Sequence, residues 1–162
     1  MPEKPPKESL KRAPLLDDVV LVLSELEKHG VKYALLGGVA MAIHGFPRMT
    51  KDIDCIFPCD PENNARLMKA IKSLSQKLRL DYLPKKAWLD KGYSTAAEGE
   101  IGLDILFVAA SKPFADYEAH IEEREIEGVK IKVLDIDGML MSKETDRPED
   151  VPDRKRLARL KP

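Results

Sequence analysis

Cysteine is scarce in this chain, which has only Cys55 and Cys59 in 162 residues. Two thiols cannot build a disulfide framework, and no Cys/His cluster at zinc-ligand spacing accompanies them. Reduced thiols in a cytoplasm are therefore expected, with Cys55 in the core and Cys59 at the surface. A charge excess is missing as well: 27 Lys and Arg stand against 28 Asp and Glu, for a formal net charge of -1. No overall basic field announces a nucleic-acid partner, so any RNA contact would need a local patch. No apolar run reaches the roughly 18 residues of a membrane span, and the opening MPEKPPKESLKRAP lacks the apolar segment of a signal peptide. A membrane partner is not expected, and no internal repeat is visible.

What is present is the mixture of an ordinary globular protein, 43% hydrophobic and 34% charged. A chain of this length can bury most of its apolar surface in one domain without disulfides or a structural metal. Prolines and lysines crowd residues 1–14 and disfavour helix and strand alike, so this stretch reads as a flexible tail. Residues 15–162 read as a single domain.

Within that domain, apolar residues recur at helical spacing from Leu15 to His29, with Asp17 and Asp18 near the start and Gly30 just beyond. Lys32 to Leu36 predicts a short buried strand running into Gly37-Gly38, after which VAMAIHG predicts a brief helix. The run DIDCIF predicts a strand over Asp52 to Phe57. Asp60 is an N-cap with Pro61 at the first helical position, opening a helix to about Leu78. Leu80 to Leu83 suggests a short edge strand, and Gly92 to Gly99 a loop. The apolar run over residues 101–108 predicts an interior strand that carries one acid, Asp104. Phe114 to His120 reads as a helix, and two alternating arms around Glu127-Gly128 as a hairpin. Asp135 caps a helix through Lys143, and a last helix spans about Asp150 to Leu160. Interleaved helices and strands with a hairpin predict an α/β (α+β) domain, a mixed sheet flanked by helices.

Asp52 and Asp54, two apart on one strand, point to the same side while Ile53 packs into the core. Carboxylates gathered in this way hold Mg²⁺, whose preference for hard oxygens suits carboxylate and phosphate together. Paired ions about 3.5 to 4 Å apart can clamp a phosphoryl transfer. Asp104, on a neighbouring strand, has a reason to sit in an apolar run if it is the general base for an incoming hydroxyl or a shared metal ligand. Gly37 and Gly38 let backbone N–H groups approach phosphate where a helix dipole favours negative charge. Arg48 is a donor candidate for a triphosphate because guanidinium geometry matches phosphate oxygens, and Lys143 is another from the far end of the chain. Singly, each has a plainer reading: a turn, a solvated strand edge, a salt-bridged acid, a surface charge, and for His44 a packed or capping ring. It is their conjunction, in this order, that points to chemistry.

The stretch LLGGVAMAIHGFPRMTKDIDCIF resembles the signature of the DNA polymerase β-like nucleotidyltransferase superfamily. It is most similar to the branch of AbiEii-like toxins and small bacterial nucleotidyltransferases, with Gly37-Gly38, then His44-Gly45, then Arg48 to Asp54. IGLDILFV resembles the strand bearing the third acid, Asp104. SKETDRPEDVPDRKRL resembles the branch's last motif through Lys143, Arg147, Asp150 and Asp153. The resemblance spans roughly residues 20–160 and implies a nucleotidyltransferase fold and NMP transfer from an NTP to a hydroxyl, releasing pyrophosphate. It further implies Mg²⁺ or Mn²⁺ on Asp52, Asp54 and Asp104, and nucleotide contact by Lys143 with Asp153 in support. Gly38 departs from the serine of many relatives, so backbone N–H groups must replace a hydroxyl contact. An acceptor-binding helical domain found in several relatives is not expected in these residues, which leaves the acceptor open: tRNA or other RNA, a protein, or a small molecule. The contrasting expectation is a non-catalytic nucleotide-binding module or toxin–antitoxin component with an antitoxin-like partner.

Overall fold

The computed structural model describes residues 11–161. Residues 1–10 of the expected tail lie outside these. Residues 11–14 are irregular, yet they are tied to the body: the Arg12 N–H donates to the Glu100 carbonyl at 2.9 Å, and its guanidinium forks onto Asp18 at 2.5 and 2.9 Å. Asp18 in turn accepts from the Leu15 N–H at 2.7 Å, so one carboxylate both opens the first helix and fastens the segment before it.

That helix, α1 (Leu16–Lys28), buries Val19, Val22, Leu23 and Leu26 at the predicted spacing. The chain then enters β1 (Ala34–Leu36), all of it buried, and turns directly into α2 (Gly37–Ile43). After a loop come β2 (Ile53–Ile56) and α3 (Pro61–Lys77), whose cap is the expected one: the Asp60 carboxylate accepts from the Asn63 N–H at 3.0 Å ahead of Pro61. Asn63 is fully buried, and its amide bonds both the N–H and the carbonyl of Lys32, at 2.8 and 3.0 Å. It thereby locks the entry to β1 against α3.

Next are α4 (Lys86–Asp90), β3 (Thr95–Glu98) and β4 (Gly102–Leu106). A two-residue pair, β5 (Val108–Ala109) with β6 (Lys112–Pro113), leads to α5 (Phe114–Tyr117) and a 3-10 turn at Glu118–His120. The hairpin β7 (Ile121–Ile126) and β8 (Val129–Leu134) turns at Glu127 and Gly128, both at positive φ, as a tight two-residue turn requires. Then α6 (Ile136–Ser142) starts on Asp135, which accepts from the Gly138 N–H at 2.7 Å, and α7 (Asp150–Leu160) follows.

Six strands form one mixed sheet in the order β3-β4-β2-β1-β8-β7. β2 runs parallel to β4 and antiparallel to β1, while β1 runs parallel to β8. The α/β class, with helices flanking a mixed sheet, is therefore the observed one. Helix α1 packs on α3 and β8, and Leu23, Leu26, Leu67, Ile71 and Leu74 are sealed with Tyr33, Leu35 and Phe57. Each such aliphatic side chain stabilises the fold by roughly 1.5–3 kcal/mol through lost water contact.

The structure departs from the sequence reading between residues 80 and 100. Leu80 to Leu83 makes only a single bridge, Tyr82 with Glu98, and the expected loop at 92–99 contains β3. The segment TAAE has weak strand preference, and it is extended because its backbone pairs antiparallel with β4. Helix α4, with Leu89 fully buried, was not legible as a helix at all.

Candidate active site

The core register brings the acids together. In the parallel β2–β4 pair, Asp54 is the direct partner of Asp104, so the two carboxyls leave the same face of the sheet within hydrogen-bonding reach. Asp52 lies just before β2, two residues from Asp54. Carboxylate oxygens of Asp52, Asp104 and Glu98 come within 4.8 Å of one another. Glu98 ends β3, in the region where the sequence signalled no site, and TAAE carries no alternation that would have marked it.

Glycine makes room for these acids. Gly37 has φ +73°, and a Cβ at that position would overlap the Asp54 carboxyl. Its missing side chain thus admits the carboxyl as well as permitting the turn from β1 into α2. A Cβ on Gly38 would come 2.9 Å from Cβ and Oγ1 of Thr50, whose hydroxyl donates to the Asp52 carbonyl at 3.0 Å. A Cβ on Gly102 would strike Asp52 Oδ1.

Crowding fixes the protonation of the metal-free cluster. Burial first, then the hydrogen bond and charge of Asp54 and the charge of Asp52, push Asp104 up to about 8. Burial and the charge of Asp52 also raise Asp54, against the pull of Asp104's hydrogen bond, Lys143 and Arg48. On the opposite side of β2, burial holds the Cys55 thiol well above its usual range, with Asp54 and Asp104 adding to the effect. It is an inert core group.

Two cations approach Asp54 from a shared anchor. Asp153, fully buried on α7, accepts from Arg48 Nη1 at 2.6 Å and lies 3.0 Å from Lys143 Nζ, which is also 3.4 Å from Asp150. Arg154 clamps the Lys143 carbonyl, and Thr145 bonds Asp150. Residues separated by a hundred positions thus converge on one carboxylate. Arg147 pairs with Glu149 at 2.7 Å on the surface. His44 is buried with Nε2 2.7 Å from the Leu134 carbonyl, a packed ring as expected. Cys59 is exposed. A hollow of about 350 Å³ lined by Leu15, Leu16, Val39 and Ile43 opens beside Arg48 and Thr50.

A third cation was missed by the sequence reading. Lys11, within the expected tail, ion-pairs with Asp52 and lies 3.0 Å from Glu98. Burial opposes its charge, but hydrogen bonds to Asp52 and Glu98 outweigh that and raise its pKa.

The donor set suits a divalent ion: hard carboxylate oxygens of Asp52, Glu98 and Asp104 face one another at close range, with the Lys11 ammonium against two of them. Among the described residues no helix is long and apolar enough to cross a membrane.

No protein-family model matches the chain, and no curated protein sequence matches it. Solved structures do. The antigenic nucleotidyltransferase-like protein of Paracoccidioides brasiliensis is 16% identical with TM-score 0.57, covering 95% of this chain and 77% of its own. ANT(2")-Ia, solved with adenylyl-2"-tobramycin, is 19% identical with TM-score 0.54 over 86% and 84% of the two chains. The lincosamide antibiotic adenylyltransferase LnuA, solved with lincomycin, is 16% identical with TM-score 0.56 over 93% and 100%. The chain has the nucleotidyltransferase fold.

Proposed function

We propose that this protein transfers a nucleoside monophosphate from an NTP to an acceptor hydroxyl. The acceptor oxygen bonds to the α-phosphorus, the bond to the bridging oxygen of the β-phosphate breaks, and pyrophosphate leaves with that electron pair. One observation carries the reading: Asp54 and Asp104 at matched register, with Asp52 beside them, on a nucleotidyltransferase fold.

Asp52, Asp54 and Asp104 would hold Mg²⁺ or Mn²⁺, which when bound neutralises triphosphate charge and acidifies the hydroxyl. Asp104, directly opposite Asp54 on the neighbouring strand, takes the acceptor proton. Arg48 and Lys143 bind phosphate oxygens, and Asp153 positions both cations. The backbone at Gly37-Gly38 opens α2 toward the phosphates with no side chain in the way.

A small-molecule hydroxyl is the acceptor we favour over RNA or protein, because two similar folds of comparable length were solved with an antibiotic or its adenylyl product. The test is transfer from α-labelled NTPs to a panel of hydroxyl compounds, total RNA and protein. Transfer by the native chain that Asp54→Asn abolishes, with unchanged circular dichroism, supports the reading. Undiminished transfer by Asp54→Asn overturns it, and NTP binding without turnover identifies a non-catalytic module instead.

A further inference from the structure

The metal-free acid cluster is already charge-compensated, and the compensating group comes from the stretch before α1. Lys11 Nζ pairs with Asp52 and with Glu98 at 3.0 Å, and its charge acts on Asp104 as well. The Oδ1 of Asp52 is buried and meets this ammonium. A Cβ on Gly102 would lie 3.0 Å from Cε and Nζ of Lys11 and would overlap Asp52 Oδ1, so the absence of a side chain there opens the seat in which acid and amine meet. On its C-terminal side the lysine is held by Arg12, through the Glu100 carbonyl and the fork onto Asp18.

Building on the proposed nucleotidyltransferase reading, we infer that Glu98 is a fourth carboxylate of the cation seat and that Lys11 occupies this seat until a divalent ion displaces it. A compact ammonium and a divalent ion both seek hard oxygen, and one set of oxygens within 4.8 Å cannot hold both at full strength. Metal entry and withdrawal of Lys11 are then one event, and the segment before α1 reports on whether the seat is loaded. Glu98 also has a geometric reason for its charge: it ends the edge strand beside Gly102, pointing into the seat rather than to solvent, with its side chain 13% exposed.

The test is a Mn²⁺ titration of the full chain by electron paramagnetic resonance, without nucleotide. Lys11→Met is expected to bind Mn²⁺ roughly tenfold more tightly than the native chain, the scale of two partly exposed ion pairs lost to the competitor. Lys11→Arg is expected to bind nearly as the native chain does. In the Lys11→Met background, adding Glu98→Gln is expected to weaken binding roughly tenfold, because only the ligand set then changes. Equal affinity of Lys11→Met and native protein overturns the competition, and an unchanged affinity on adding Glu98→Gln overturns the ligand role. If neither the native chain nor Lys11→Met binds Mn²⁺, it is the metal-dependent reading underneath that fails.

Discussion

Asp54 and Asp104 occupy directly opposed positions on adjacent parallel strands, and their two carboxyls are close enough to share one proton. In the metal-free protein such a pair resists full ionisation; a cation between them would remove the resistance. Acidity and stability, and on the proposed function metal affinity, are therefore linked through this one contact.

The linkage has a definite sign. Asp104 is pushed from its ordinary 3.8 up to about 8 in the folded chain, so its stabilising contribution is complete below about 3.8 and is lost as pH rises through about 8. Without divalent metal, Asp104→Asn should gain thermal stability over the native chain by an amount that grows from pH 5 to pH 8. Melting curves in EDTA at the two pH values check this, and a difference that is constant with pH would refute it.

Gly37→Ala meets two penalties at once, a φ of +73° and a collision with the Asp54 carboxyl. A loss of roughly 1–3 kcal/mol is expected from the backbone alone. Because the acid must move, Mn²⁺ affinity should fall as well. Urea unfolding with a parallel Mn²⁺ titration reads both, and full Mn²⁺ affinity in the variant would show that Gly37 does not shape the acid site.

Removing the buried Asp153 leaves Arg48 and Lys143 facing each other without their common counter-charge. Asp153→Ala should cost about 3 kcal/mol. Asp153→Asn keeps the shape while losing the charge, and on the proposed function it should weaken NTP binding roughly tenfold. Unfolding curves and calorimetry separate the two effects, and unchanged NTP affinity in Asp153→Asn would remove Asp153 from the positioning role.

Asn63→Ala tests the clamp on Lys32. Both main-chain groups that the amide satisfies would be left without a partner at the entry to β1, at a cost of about 2–3 kcal/mol. Chemical denaturation measures it; a loss under 0.5 kcal/mol would mean that water replaces the amide freely.

Where local chemistry decides structure, the sequence was readable. Asp60-Pro61 and Asp135 cap the helices they were expected to cap, and the backbone at Glu127-Gly128 turns the hairpin. The D-x-D spacing and the lone acid in an apolar run disclosed positions that pairing then set opposite each other. Where tertiary pairing decides, it was not. The alanines of TAAE have no strand pattern of their own, so β3 and with it Glu98 stayed hidden. Lys11 was hidden by its surroundings: proline-rich composition says nothing of a single ion pair reached across 87 positions to Glu98. The glycine pair was legible as a turn, but its role in admitting the Asp54 carboxyl arises only where β1 and β2 come together.

The outer strand of the sheet, β7, reads IEEREI, with Glu122, Glu123 and Glu125 along a margin that has no further neighbour among the described residues. Were two copies to align there antiparallel, rows of negative charge would confront one another while main-chain groups tried to pair. Stacking into ribbons from that border is thus penalised electrostatically; Lys130 and Lys132 stand opposite Glu125 and Glu123 in register, with the Lys132 ammonium bonded to Glu27.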